Sequence, residues 1–177
     1  MLILTAVGED RPGIVAALTR VLYEQGCNLA DSRMTRLGPQ FAIILLIQPP
    51  RDFDREGLWR ALEPVAERLG LAWQLRQVSP EAIVPPPAGE PIIVTVYGAD
   101  RPGIVAEVSA VLGAREINIV DLKTRLANAG GPPVYTMLIE ADLPPNGDLE
   151  ELRQALRAVG ERLGVEIAAN PLEVAEI

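Results

Sequence analysis

Residues 2–7 are apolar except for Thr5 and predict a strand. Ile14, Leu18, Val21 and Leu22 then recur at helical spacing, giving one apolar stripe that Gly26 brings to an end. Asn28–Leu37 is mixed in character and reads as an extended segment, whereas Phe41–Ile47 is a continuous apolar run, expected of a central strand buried on at least one face. Leu58, Leu62, Val65 and Leu69 mark a second helix closed by Gly70, with Pro64 inside it as a source of a kink. Leu71–Val78 is the closing strand. The same order returns in Ile92–Val96, then Ile104, Val108, Val111 and Leu112, then Ile117–Leu126 and Val134–Ala141, then Leu152, Leu156, Val159 and Leu163.

The return is a duplication. Residues 8–16 read Gly-Glu-Asp-Arg-Pro-Gly-Ile-Val-Ala and residues 98–106 read Gly-Ala-Asp-Arg-Pro-Gly-Ile-Val-Ala, an offset of 90. Later Glu67-Arg68-Leu69-Gly70 matches Glu161-Arg162-Leu163-Gly164 at an offset of 94, which places about four extra residues in the middle hairpin of copy two, around Asn128–Pro133. Each copy runs strand, helix, strand, strand, helix, strand. With right-handed crossovers this predicts an α+β fold: two ferredoxin-like βαββαβ domains in tandem, antiparallel sheets with both helices on one face. The expected domains are 1–79 and 91–177, joined by a stiff Pro-rich linker at 80–90 that holds Pro85-Pro86-Pro87. Each sheet alone exposes an edge strand, which favours edge pairing and a homodimer.

Composition narrows the function classes. Net charge is −8, and it is uneven: residues 1–88 hold 9 basic and 10 acidic side chains, residues 89–177 hold 7 and 14. Neither half has the basic face that direct nucleic-acid binding needs, and Phe41, Phe53, Trp59 and Trp73 are too sparse for a base-stacking platform. Histidine is absent, removing the commonest general base and metal ligand. With no clustered metal ligands and no paired nucleophile and base, the chain reads as non-enzymatic, with no catalytic residues, metal or cofactor. No apolar run is long enough for a membrane span, and no secretory leader is visible. The single cysteine, Cys27, fits a reducing compartment, so a cytoplasmic location is expected. Its counterpart is Ile117, and it is read as a packing residue.

Two matched features remain. The Asp10–Gly13 and Asp100–Gly103 turns open the first helix of each copy. Asp10 stands where an N-cap belongs, Pro12 fits the first helical turn, and Gly13 leaves the backbone bare, which together suit a carboxylate ligand. The competing reading is simply a good helix start; near-identity in both copies favours a ligand loop. Asn28 and Asn118 open the second strand, and an Asn amide can donate to a carboxylate and accept from an ammonium. Strict alternation puts Asn118 with Val120 and Leu122 on the helix side, and Asp31, Arg33, Asp121, Lys123 and Arg125 on the opposite side as a solvated charge ladder.

The strand, the Asp-Arg-Pro-Gly-Ile-Val turn, the helix and the Asn-Leu/Ile strand resemble the ACT domain, a small amino-acid-sensing module. Two copies, with Asp-Arg-Pro-Gly-Ile-Val-Ala-Glu-Val and Ile-Asn-Ile-Val-Asp-Leu-Lys-Thr-Arg in the second, resemble the glycine cleavage system transcriptional repressor family. The resemblance implies an accessory regulator that acts on an activator protein rather than on DNA, with glycine a candidate effector. It implies ligand contacts from Asp10, Arg11, Pro12, Gly13, Ile14 and Asn28, and from Asp100, Arg101, Pro102, Gly103, Ile104 and Asn118. Serine-binding members carry a His before the motif where this chain has Gly8 and Gly98, so the effector stays open.

The alternative is a free-standing sensing subunit that binds an amino acid and docks on a metabolic enzyme. In the ferredoxin-like plan the loop and the Asn of one copy lie at opposite ends of the unit, so one small ligand could meet both types of residue only if the copies paired antiparallel through their second strands.

Overall fold

The computed structural model describes residues 1–83, 89–127 and 133–172. The chain divides into two compact units, Met1–Val84 and Pro85–Ile177. The extra residues of the second hairpin and most of the expected linker fall outside the described residues; the linker's start, Pro80–Ile83, is a short 3-10 turn.

Unit 1 comprises β1 (Leu2–Glu9), α1 (Ile14–Glu24), β2 (Asn28–Leu37), β3 (Gln40–Gln48), α2 (Arg55–Leu69) and β4 (Ala72–Gln77). Unit 2 repeats it as β5 (Glu90–Ala99), α3 (Ile104–Gly113), β6 (Asn118–Ala127), β7 (Val134–Leu143), α4 (Leu149–Leu163) and β8 (Val165–Pro171). The sheets are antiparallel, ordered β2-β3-β1-β4 and β6-β7-β5-β8. This is the expected α+β architecture, two ferredoxin-like units in tandem.

The predicted stripes are the cores. Ile14, Leu18, Val21 and Leu22 of α1 and Leu58, Leu62 and Ala66 of α2 pack on Leu4, Ala6, Ile43, Leu45 and Ile47. Unit 2 does the same with Ile104, Val108, Leu112, Leu152, Leu156 and Val159 against Val94, Val96, Met137 and Ile139. Each buried aliphatic side chain contributes about 1.5–3 kcal/mol of transfer free energy. Val65, Leu69, Val111 and Leu163 are only partly buried, at the margins of these faces. The helix α2 runs through Pro64, which is exposed and has no N–H to donate to the carbonyl four residues earlier.

Strict alternation fails in β2 and β6. The register shifts between Leu29 and Asp31 and between Ile119 and Asp121, leaving Ala30 and Val120 as bulge residues. Before the bulge Asn28 pairs with Gln48 and Asn118 with Asp142, on the open side of the sheet. Leu29 and Ile119 pair with the buried Ile47 and Ala141 on the helix side. The two asparagines therefore share the open face with Asp31, Arg33, Asp121, Lys123 and Arg125, contrary to the expectation for Asn118. One extra residue inverts the parity of everything before it.

Candidate functional site

The two helix-opening turns have one backbone conformation. Gly13 holds φ 95° and ψ −6°, and Gly103 holds φ 99° and ψ −11°. Each is the residue immediately before its helix, with no side-chain cap. The glycine is thus required by a left-handed backbone that a side chain disfavours. A Cβ at either position would meet nothing within 4 Å, so the turn opens outward. The helix start leaves backbone N–H groups without intrahelical acceptors, suited to a carboxylate.

The expected roles of Asp10 and Pro12 change. Helix α1 begins at Ile14, so neither residue is a cap or part of the first helical turn. Asp10 instead ties the turn to the β2–β3 hairpin: its N–H donates to the Pro39 carbonyl at 2.7 Å, and its carboxylate accepts from Arg36 Nη1 at 3.3 Å. The side chains of Ile14 and Ile104 are core members, 1% and 2% exposed, so only their backbone can face a ligand. Arg11, Pro12, Arg101 and Pro102 are exposed.

Small differences between the copies redirect the charges. Glu9 holds Arg11 at 2.6 Å. Its counterpart is Ala99, and Arg101 turns instead to the end of α4, where a Cβ on Gly164 would lie 3.4 Å from its Cζ. A guanidinium there suits the negative end of the helix. The counterparts of Arg36 and Phe41 are Leu126 and Tyr135, by sequence offset and strand register. Asp100 has no ion pair among the described residues. Burial pushes the Tyr135 phenol up, and the Asp100 carboxylate adds to the rise. The first turn of α3 carries Glu107, bound by Arg162 at 2.5 Å, where α1 has no acidic residue. Arg36 and Tyr135 lie outside the repeated motif. Their divergence between otherwise parallel copies is the sequence signal that would have pointed to them.

Position 8 is closed to side chains. A Cβ on Gly8 would come 2.8 Å from Leu71 Cδ2 and 2.9 Å from the Gly70 carbonyl oxygen. On Gly98 it would come 2.9 Å from Val165 Cγ1 and 3.1 Å from Val165 Cα. Gly8 and Gly98, two residues before each turn, therefore offer a ligand their backbone only.

The asparagines do not join the turns within a unit. Asn28 faces Gln48 and Glu9 faces Gln40, at opposite ends of β3. Asn118 and Ala99 likewise stand at opposite ends of β7. Both asparagines are exposed. Cys27, beside Asn28, packs against the core, and burial pushes its thiol up, away from the reactive thiolate. Among the described residues no group of His, Cys, Asp and Glu is arranged to hold a metal, and no helix is long and apolar enough to cross a membrane.

A family model described as the ACT domain matches residues 1–76 and again residues 90–170. The glycine cleavage system transcriptional repressor of Escherichia coli K12 is 29% identical over 178 residues, spanning 96% of this chain and 88% of the relative. A UPF0237 protein of Methanopyrus kandleri is 42% identical over 83 residues, 46% of this chain and 88% of the relative, so a single repeat corresponds to most of that protein. Among solved structures, an unknown protein from Galdieria sulphuraria superimposes with a TM-score of 0.80 at 31% identity, covering 97% of this chain and 98% of the other. A proposed glycine cleavage system transcriptional repressor superimposes with a TM-score of 0.72 at 23% identity, covering 98% and 97%, and shares the fold.

Proposed function

Since this chain belongs to the ACT-domain family, with one repeat in each unit, we propose that it is a non-enzymatic regulator that responds to a free amino acid and acts through contacts with another protein. The observation that carries this reading is the outward-opening turn, built twice with the same left-handed glycine and a bare helix start. The ligand carboxylate takes the N–H groups at that start. Asp10, Arg11, Pro12, Gly13 and Ile14, with Asp100, Arg101, Pro102, Gly103 and Ile104, form the two turns, and Asn28 and Asn118 act at the other end of each unit. In this reading the partner is a transcriptional activator, and the likeness over nearly the whole chain to an E. coli protein named as a transcriptional repressor of the glycine cleavage system supports a role in transcription and makes glycine the first effector to test. The net charge of −8 supports action through protein rather than through DNA. A cytoplasmic homodimer, covering the exposed edge strands β2 and β6, completes the reading.

The test is a thermal-shift screen of the intact protein against the free amino acids, followed by affinity purification with and without the hit. A ligand that binds only the folded state raises its melting temperature. Co-purification of a transcription factor whose yield changes with the ligand supports the proposal. Co-purification of a metabolic enzyme instead favours the sensing-subunit alternative, and the absence of any shift across the set removes the amino-acid reading.

A further inference from the structure

At the end of unit 2 away from the Asp100–Gly103 turn, three unusual features coincide. The α3–β6 connection holds Glu116 at φ 55°, the one non-glycine residue with positive φ among those described. The same place in unit 1 is Gly26, at φ 69°, where no strain arises. Beside it stands Arg115, where unit 1 has Gln25. Arg115 Nε is the one buried side-chain polar atom among the described residues that lacks a hydrogen-bond partner. The rest of the guanidinium is loosely held, with Nη1 donating to the Val111 carbonyl at 3.2 Å and Nη2 to Glu151 Oε1 at 3.4 Å. Both residues line a cavity of about 210 Å³ whose lining also includes Asn146, Asp148 and Glu151.

Two of these features are costly. A left-handed non-glycine residue is strained, and a buried donor without a partner has given up its hydration for nothing. Strain of this kind gathers at ligand clamps. Copy one reaches the same left-handed backbone with Gly26 and carries Gln25 beside it, so the fold requires the conformation but neither the strained side chain nor the arginine.

We propose that this cavity is a ligand site, separate from the repeated turns, for a small zwitterion carrying one carboxylate and one ammonium. The ligand carboxylate displaces Glu151 from Nη2. Released from that contact, the guanidinium turns about its side-chain torsions to bring Nε–H to the second carboxylate oxygen, a bidentate pairing for which the planar guanidinium is shaped. The ammonium meets the acidic rim of Glu116, Asp148 and Glu151, which repels any ligand that is only anionic. The volume, below the range of about 300–1,000 Å³ usual for drug-sized ligands, admits a molecule of a few heavy atoms. The site does not depend on the turns: it stands if they bind nothing.

The experiment is calorimetric titration of the full chain with glycine and L-alanine, with acetate and ethylammonium as single-charge probes. It is repeated on Arg115→Gln, which restores the residue of copy one. Glycine or alanine should bind, acetate and ethylammonium should bind at least about tenfold more weakly, and Arg115→Gln should lose about tenfold or more in affinity. In a ¹H–¹⁵N spectrum of the unaltered protein, the Arg115 Nε–H signal should move on saturation, a readout that needs no variant to fold. No binding by either amino acid, binding of acetate as tight as that of glycine, undiminished binding by a folded Arg115→Gln, or an unmoved Nε–H signal would each overturn the proposal. Movement of the backbone amide signals at the two turns, with the Arg115 signal unmoved, would place the ligand at the turns and overturn it too.

Discussion

Gly8 of β1 lies so close to Leu71, the second of the two residues between α2 and β4, that an added Cβ would fall 2.8 Å from Leu71 Cδ2. The contact is sharpened by the Gly70 carbonyl at 2.9 Å, which is backbone and cannot step aside. Gly8→Ala is therefore expected to cost about 1–3 kcal/mol through overpacking. Urea unfolding followed by tryptophan fluorescence reads unit 1 alone, because Trp59 and Trp73 are the two tryptophans and both lie there, 4.3 Å apart between ring centroids. A neutral Gly8→Ala would show that the position is open to side chains after all.

Gly13→Ala and Gly103→Ala meet no atom within 4 Å, so any loss of stability comes from backbone conformation. At φ 95° and 99° a loss of about 1–3 kcal/mol is expected at each. Denaturation curves of the two single variants should show comparable costs, since the two turns share one geometry. A cost confined to one turn would mean that the copies are not held alike.

Asp10 and Asp148 separate two roles that look alike in sequence. Asp148 Oδ1 accepts from the N–H groups of Glu150 and Glu151 at 2.7 and 3.2 Å and caps α4. Its replacement by Ala should cost about 0.5–2 kcal/mol. Asp10 caps nothing and makes one half-exposed pair with Arg36, so Asp10→Ala should cost about 0–1 kcal/mol. Equilibrium unfolding of both variants should preserve this order.

Cys27 makes stability pH-dependent on the alkaline side. Its folded pKa is raised by burial, so the folded state resists losing this proton more than the unfolded chain does. The contribution is intact below the unfolded value of about 8.5 and is lost as pH rises from there through the folded value. Tyr135, raised by burial and by Asp100, adds a loss of the same sign at higher pH. Urea unfolding at about pH 7.5 and about pH 10 should show a smaller alkaline loss in Cys27→Ala than in the unaltered protein.

Duplex DNA should not be retained by the isolated protein, whose net charge is −8 with the acidic excess concentrated in the second half. Salt-sensitive, submicromolar binding in a gel-shift assay would contradict this.

Period and punctuation in the chain are enough for the architecture. A 3.6-residue stripe has only one way to be buried, and so the spacing of Ile14, Leu18, Val21 and Leu22 by itself marks the core face of α1. Gly70 and Gly164 mark helix ends because a left-handed cap, here φ 66° in both, selects glycine on local grounds. The repeated turn is legible for the same reason, since its conformation is carried by one glycine. Tertiary structure decides the rest. The bulges at Ala30 and Val120 arise from pairing with β3 and β7, and they alone put Asn28 and Asn118 on the open face. Asp10 reads as a cap in sequence, but Arg36, 26 residues later, is brought to it only by the β2–β3 hairpin. Closure of position 8 by Leu71 and the unpaired Arg115 Nε are likewise set by contacts between distant segments, which local periodicity does not encode.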